Sequence, residues 1–127
     1  MRDASTASIP SLSIRVEMDT EGHIGHGKIE LLENIRACGS ISAAGRTMGM
    51  SYMRAWTLVE EINRICNRAA VEPHVGGKHG GGASLTPFGI SLVERYREME
   101  RRIESAARDE LIALRAEMGP RKITEND

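Results

Sequence analysis

Aromatic side chains are scarce: one Phe, one Trp and two Tyr among 127 residues, 3% of the chain. The core must rest on Leu, Ile, Val, Met and Ala. A core of that kind is modest for a chain of this length, which points towards self-association. Long apolar runs are missing too. No stretch approaches the roughly 18 residues of a membrane-spanning helix. The opening MRDASTASIPSLSI lacks the apolar segment of a secretory signal. A cytoplasmic protein with no membrane partner is expected. Cysteine is limited to Cys38 and Cys66, both in expected helices, and they read as buried, reduced thiols rather than a disulfide framework. No nucleophile–base pairing or clustered carboxylates stand out, so neither an enzyme nor a cofactor is expected. Nor is there an overall basic excess, since the net charge is −1.

The charge is unevenly spread. Residues 1–35 carry three basic and six acidic groups, residues 36–86 six and three, and residues 87–127 eight and nine. The middle third is the basic part, and phosphate contacts need only such a local field. Within it lies GSISAAGRTMGMSYMRAWTLVEEINRICN, from Gly39 to Asn67. Ser40 is a good N-cap for a short helix over residues 41–48, and Gly49 stops that helix. Ser51 caps a second, longer helix with apolar residues at Ala55, Val59, Ile62 and Cys66, the spacing of one buried face. Ala43, Ala44 and Gly45 are small enough to let the second helix pass close by. The unit reads as a helix-turn-helix. In such a unit the N-terminal part of the second helix meets the bases of the DNA major groove. Tyr52, Met53 and Thr57 are therefore base-edge candidates. Arg46, Arg54 and Arg64 are phosphate or base candidates, and Ser40 and Ser51 complete the set at the two helix starts. Trp56, the only tryptophan, reads as packing at the edge of the core.

After Asn67 comes VEPHVGGKHGGGASLT, two short extended pieces around a Gly-rich basic tip. A hairpin directly after a helix-turn-helix is a wing. Gly77, Lys78 and His79 are its DNA candidates, because glycine lets backbone N–H groups approach phosphate and Lys78 supplies charge. A phosphate-binding loop of the Walker type is set aside. Glu72 stands where its first glycine belongs, His79 where Ser or Thr belongs, and a strand rather than a helix follows.

Upstream, residues 11–18 alternate, with Leu12, Ile14, Val16 and Met18 on one side and Ser11, Ser13, Arg15 and Glu17 on the other. That predicts a half-buried strand, expected to join the wing in a three-stranded sheet. Residues 19–27 read as a turn, and residues 28–38 as the first helix. Downstream, Thr86 and Pro87 open a last helix expected to run unbroken to about residue 115, about 43 Å. Its apolar stripe is Phe88, Leu92, Tyr96, Met99, Ile103, Ala106, Ala107, Leu111 and Leu114. A stripe that long on a small domain calls for a second copy of the chain, so these residues are the dimerisation candidates. The expected fold class is mainly α with a small β-sheet: a winged helix-turn-helix with a long C-terminal dimerisation helix. The expected division is a flexible N-terminus over residues 1–10, the DNA-binding domain over 11–86, the dimerisation helix over 87–116 and a flexible tail over 117–127.

The stretch GSISAAGRTMGMSYMRAW followed by GGKHGGGASLTPFG resembles the N-terminal DNA-binding domain of the ModE family of molybdate-responsive transcription regulators. That domain is a winged helix distantly related to the LysR type. The likeness covers about residues 25–115. It rests on SYxxAW at Ser51, Tyr52, Ala55 and Trp56, and on the wing and helix start between Gly76 and Gly89. It implies a homodimer, held by the first strand region and the last helix, on a palindromic operator of molybdenum-uptake or molybdoenzyme genes. Family members carry molybdate-binding domains after the long helix. This chain reaches Asp127 where such a domain would begin, so the resemblance implies DNA binding here and not molybdate sensing.

Two other classes compete. His23, His26, Cys38, Cys66, His74 and His79 would suit a metal- or redox-responsive regulator, but none has the spacing of a strong metal site. A module that forms mixed dimers without touching DNA would share the same fold.

Overall fold

The computed structural model describes residues 9–19, 22–74 and 82–120. The elements are β1 (Arg15–Glu17), β2 (His23–Gly25), α1 (His26–Cys38), α2 (Ile41–Thr47), α3 (Tyr52–Cys66), β3 (Val71–His74), β4 (Gly82–Leu85), α4 (Pro87–Ala106) and α5 (Arg108–Glu117). This is a winged helix-turn-helix. The expected flexible N-terminus falls almost wholly outside the described residues, as do the wing tip and the end of the expected tail.

Helix α1 buries Ile29, Leu31, Leu32 and Ile35 and ends where Gly39 turns left-handed (φ 74°), its N–H bonding Ile35 O at 2.8 Å. Ser40 Oγ then accepts the Ala43 N–H at 2.9 Å and starts α2. Gly49 takes φ 72° in the turn, while Met50 N–H returns to Gly45 O at 2.9 Å. Small residues bring α2 and α3 together as expected: Ala44 and Gly45 are buried, and a Cβ on Gly45 would lie 3.0 Å from Ala55 Cβ. Ser51 Oγ accepts the Arg54 N–H at 3.0 Å, so Ser51 caps α3. The buried face of α3 is Ala55, Leu58, Val59, Ile62 and Ile65. Cys66 is only half-buried and Cys38 is exposed, so the thiols are not the buried pair expected. Cys38 sits at the C-terminal end of α1, past the last buried residue, Ile35.

The wing strands pair antiparallel, Val71 opposite Leu85 through His74 opposite Gly82. Ala83 N–H reaches Gly39 O at 2.9 Å and pins the wing root to the end of α1. The alternation of residues 11–18 holds in burial, but only Arg15–Glu17 is strand. It pairs with β2, Val16 opposite Ile24, and not with the wing. Residues 19–27 are therefore not simply a turn. The misreading has a physical cause. A three-residue strand holds one core residue, Ile24, which is too short to show a period. A partner a few residues away also closes a far smaller loop than the wing does.

The last helix starts as expected. Thr86 Oγ1 accepts the Gly89 N–H at 3.0 Å and donates to Ala69 O at 2.7 Å, and Pro87 occupies the first turn. It does not run unbroken. Ala107 departs from helical geometry (φ −97°, ψ 4°) and divides α4 from α5. Hydrogen bonds still cross the joint, from Ala107 N–H to Ile103 O and from Leu111 N–H to Ala107 O, both 2.9 Å. The break carries no glycine or proline, which is why no sequence signal announces it.

The core lies between α1, α3, the two hairpins and the first half of α4, with Ile24, Ile29, Leu31, Leu32, Ile35, Ile62 and Tyr96 fully buried. Tyr96 donates its hydroxyl to Ile14 O at 2.7 Å, tying α4 to the chain just before β1. Arg97 grips Glu33 of α1 with two hydrogen bonds, 2.9 and 2.8 Å, and Glu100 with a third at 2.6 Å. The Arg97 guanidinium holds the Glu33 carboxyl below the usual carboxylate range. Lys28 and Glu61, 3.1 Å apart, link α1 to α3.

Candidate nucleic-acid interface

The N-terminal half of α3 turns one face to the core and leaves the other free. Tyr52, Met53, Arg54 and Thr57 are all exposed, as is Arg64 two turns on. Met53 is 70% exposed, the most exposed large hydrophobic side chain among those described. Sequence spacing places these residues correctly, because the apolar set that faces the core fixes where the remainder point. Arg54, Arg64 and Arg46 make no salt bridge among the described residues. Arg46 instead donates to Ser42 Oγ at 3.0 Å, one turn back along α2. Ser40 and Ser51 lie at the starts of α2 and α3, each with its oxygen engaged as a cap acceptor and its hydroxyl hydrogen free to donate outward.

Gly77, Lys78 and His79 lie outside the described residues. At the wing root, His74 Nε2 meets Ser84 Oγ at 2.8 Å across the two strands. Sequence reasoning treats His74 only as a possible metal ligand. The geometry puts it beside the N-terminal end of α3, where it lines a cleft of about 210 Å³ with Ser40, Ser42, Tyr52, Trp56 and Pro73. Ser42 and His74 are the residues that sequence spacing misses. Ser42 stands there through the packing of α2 on α3, and the Ala83–Gly39 hydrogen bond helps hold His74 there from the wing.

Trp56 packs against the core edge as expected, with Tyr52 edge-on at 6.1 Å between ring centroids and 71° between planes. Its indole Nε1 is buried and has no hydrogen-bond partner among the described residues.

The dimerisation candidates divide. Tyr96 is buried within the chain, and Phe88 and Leu92 are half-buried. The Arg68 guanidinium stands over the Phe88 ring at 5.3 Å. Met99, Ile103 and Leu114 are exposed and Leu111 is half-buried, with Ile112 and Met118 exposed nearby. No residue of α5 is buried. A groove of about 330 Å³, lined almost entirely by apolar atoms, runs beside Val16, Met18, Leu92 and Met99.

The possible metal ligands do not gather. His26 Nε2 sits 3.4 Å from Glu30 and its Nδ1 3.4 Å from Arg97. Among the described residues no group of three His, Cys, Asp or Glu side chains is placed to hold a metal ion. Burial pushes the Cys66 thiol above its ordinary pKa, away from reactive thiolate character. None of the described helices is long and apolar enough to cross a membrane.

No family model matches the chain. Its relatives include the transcriptional regulator ModE of Haemophilus influenzae, 39% identical over 79 residues, which are 62% of this chain and 31% of that protein. The molybdenum transport protein ModE of Herbaspirillum seropedicae is 44% identical over 72 residues, 57% of this chain and 27% of its own. The molybdenum transport protein ModE of Azotobacter vinelandii is 34% identical over 94 residues, 72% of this chain and 35% of its own. The chain thus spans about a third of the length of these relatives.

Proposed function

We propose that this chain, a relative of the ModE regulators over more than half its length, is a sequence-specific DNA-binding transcription regulator of molybdenum-related genes and acts as a homodimer in the cytoplasm. The observation that carries the reading is α3. It is capped, backed by the close-packed α2, flanked by the wing root, and presents Tyr52, Met53, Arg54 and Thr57 to solvent. Those four residues meet base edges or flanking phosphates when the helix lies in a major groove. Arg46 and Arg64 contact phosphate on either side, Ser40 and Ser51 donate from the helix starts, and Gly77, Lys78 and His79 follow the backbone from the wing.

Residues 11–86 form the DNA-binding unit and residues 87–116 the dimerisation segment. What supports the dimer is the apolar stripe that continues past Tyr96, where Met99, Ile103 and Leu114 stay exposed among the described residues. A two-fold pair places two α3 helices in successive major grooves about 34 Å apart, on a palindromic operator.

Fluorescence-anisotropy titration at fixed salt tests the proposal, using promoter DNA upstream of molybdate-transport genes against scrambled duplex. Preference of about 1000-fold or more for the promoter supports it, the low end for specific regulators. Equal affinity for both duplexes refutes the choice of genes, and no affinity for any DNA refutes the regulator reading.

A further inference from the structure

The cleft between α2, α3 and the wing root is lined by Ser40, Ser42, Tyr52, Trp56 and His74, whose side chains carry hydroxyl, indole and imidazole groups able to donate hydrogen bonds. Among the described residues no carboxylate lines it. Ser40 and Ser42 already accept hydrogen bonds, from Ala43 N–H at 2.9 Å and Arg46 Nη1 at 3.0 Å, so each has its own hydrogen left to give. Trp56 Nε1 can only donate, and it is buried without an acceptor among the described residues. A buried unpaired donor is costly and uncommon in a native protein. Among the described residues no group supplies that acceptor. The cleft also flanks the exposed face of α3. In a helix-turn-helix seated in a major groove, that flank faces the sugar–phosphate backbone.

We infer that the cleft seats one backbone phosphate of the bound DNA, and that Trp56 Nε1 donates to a non-bridging oxygen of that phosphate. Tyr52, 54% exposed and edge-on to the indole, swings aside to admit the oxygen and adds its hydroxyl. This assignment rests on the DNA-binding reading above. It gives Trp56 a second role beside its packing, as the donor that fixes how deep α3 sits in the groove. The contact is neutral on the protein side. It releases no counterion of its own, unlike a lysine or arginine contact.

The test uses the duplex recovered by in vitro selection from a random library, with methylphosphonate replacing one phosphate at a time. Wild type is expected to lose about tenfold in affinity at the seated phosphate, as for a hydrogen bond to a charged group. Trp56→Phe is expected to lose about tenfold on the selected duplex and on unrelated duplex alike, with an unchanged salt slope, and to show no further loss at that phosphate. A benzothienylalanine at position 56, which keeps the ring shape and lacks the N–H, gives the same result if Phe disturbs folding. Equal methylphosphonate penalties in wild type and variants at every position overturn the assignment while leaving the regulator reading intact. Selection that recovers no preferred duplex overturns both. Inorganic phosphate or molybdate, titrated into DNA-free protein to about 10 mM, is expected to leave the emission of this single tryptophan unchanged. A saturable change overturns the assignment by making the cleft a site for free oxyanions.

Discussion

Gly89→Ala strikes the point where the winged helix-turn-helix is fastened to the last helix. An added Cβ would stand 2.1 Å from Ala70 O and 3.0 Å from Ala70 C. That is about 1 Å short of the closest ordinary C···O contacts. Both neighbours are backbone, so no side chain can turn away. Relief requires the start of α4 to retreat from Ala70. The retreat strains two hydrogen bonds, Thr86 N–H to Ala70 O at 3.0 Å and Thr86 Oγ1 to Ala69 O at 2.7 Å. Each contributes about 1 kcal/mol net, and overpacking adds about 1–3 kcal/mol. Better helix propensity returns under about 1 kcal/mol. The expected loss is about 2–4 kcal/mol, roughly 10 °C in Tm for a domain of this size. Gly27→Ala is the control, because nothing lies within 4 Å of a Cβ there. It is expected to be neutral or stabilising by about 0.5 kcal/mol. Urea unfolding at one fixed protein concentration measures both, since a self-associating chain changes stability with concentration. A Gly89→Ala protein within about 1 kcal/mol of wild type refutes the steric argument.

Arg54→Ala is expected to weaken binding to selected DNA by about 1–3 kcal/mol if the guanidinium reads a guanine. A uniform loss on all duplexes, with the salt slope lower by about one, would make it a phosphate contact instead. Ile103→Glu and Leu114→Glu each put a charge into the uncovered stripe, where about 1–2 kcal/mol of apolar burial per side chain is at stake. Sedimentation equilibrium should show a dimer dissociation constant at least about tenfold higher for each, and an unchanged constant in both refutes the stripe as the interface. Glu33 has a lowered folded pKa, so its contribution is present above the ordinary carboxylate pKa and disappears as pH falls through the folded value. Glu33→Gln should therefore be less stable than wild type at pH 7, with the gap closing as pH falls through the lowered folded pKa. A gap that persists at low pH contradicts an ionic role for the Arg97 contact.

The parts legible in the sequence are those where local chemistry and the tertiary fold agree. Ser40, Ser51 and Thr86 are N-caps, Gly39 and Gly49 are left-handed stops, and the helix pair and wing strands follow from them. The exposed face of α3 is legible for the same reason. What fails is non-local or too short. β2 contains one buried residue, so only its pairing with Val16 identifies it as strand. The joint at Ala107 has no breaker residue. Tyr96 fits the stripe by spacing, yet its hydroxyl finds Ile14 O and it becomes core, which depends on where β1 runs. The cleft beside Trp56 is the clearest case. Ser42, Trp56 and His74 are far apart in sequence, and helix packing together with the Ala83–Gly39 hydrogen bond brings the wing root to α2.

The residues that close the fold also constrain how any dimer reads DNA. Asn67 turns left-handed at the end of α3 (φ 51°), and Asn63 Oδ1 accepts the Ala70 N–H at 2.8 Å, so the chain leaves α3 on a fixed course. Ala69 and Ala70 then receive Thr86 through the hydroxyl and the backbone N–H, and Gly89 presses against Ala70. The end of α3, both outer ends of the wing and the start of α4 thus meet in one clasp of hydrogen bonds to the Ala69–Ala70 backbone. Arg97–Glu33 and Tyr96–Ile14 hold α4 at two further points. Between the proposed reading helix and the proposed dimer helix there is therefore no hinge as far as Arg97. In a two-fold pair the separation of the two α3 helices follows from how α4 and α5 meet their copies, and the nearest departure from helical geometry lies at Ala107, beyond the last fastening. On the proposed two-fold reading, half-site spacing follows from the packing of the α4–α5 stripe, and base preference from α3. Substitutions in the stripe should change which spacing is bound without changing which half-site is preferred.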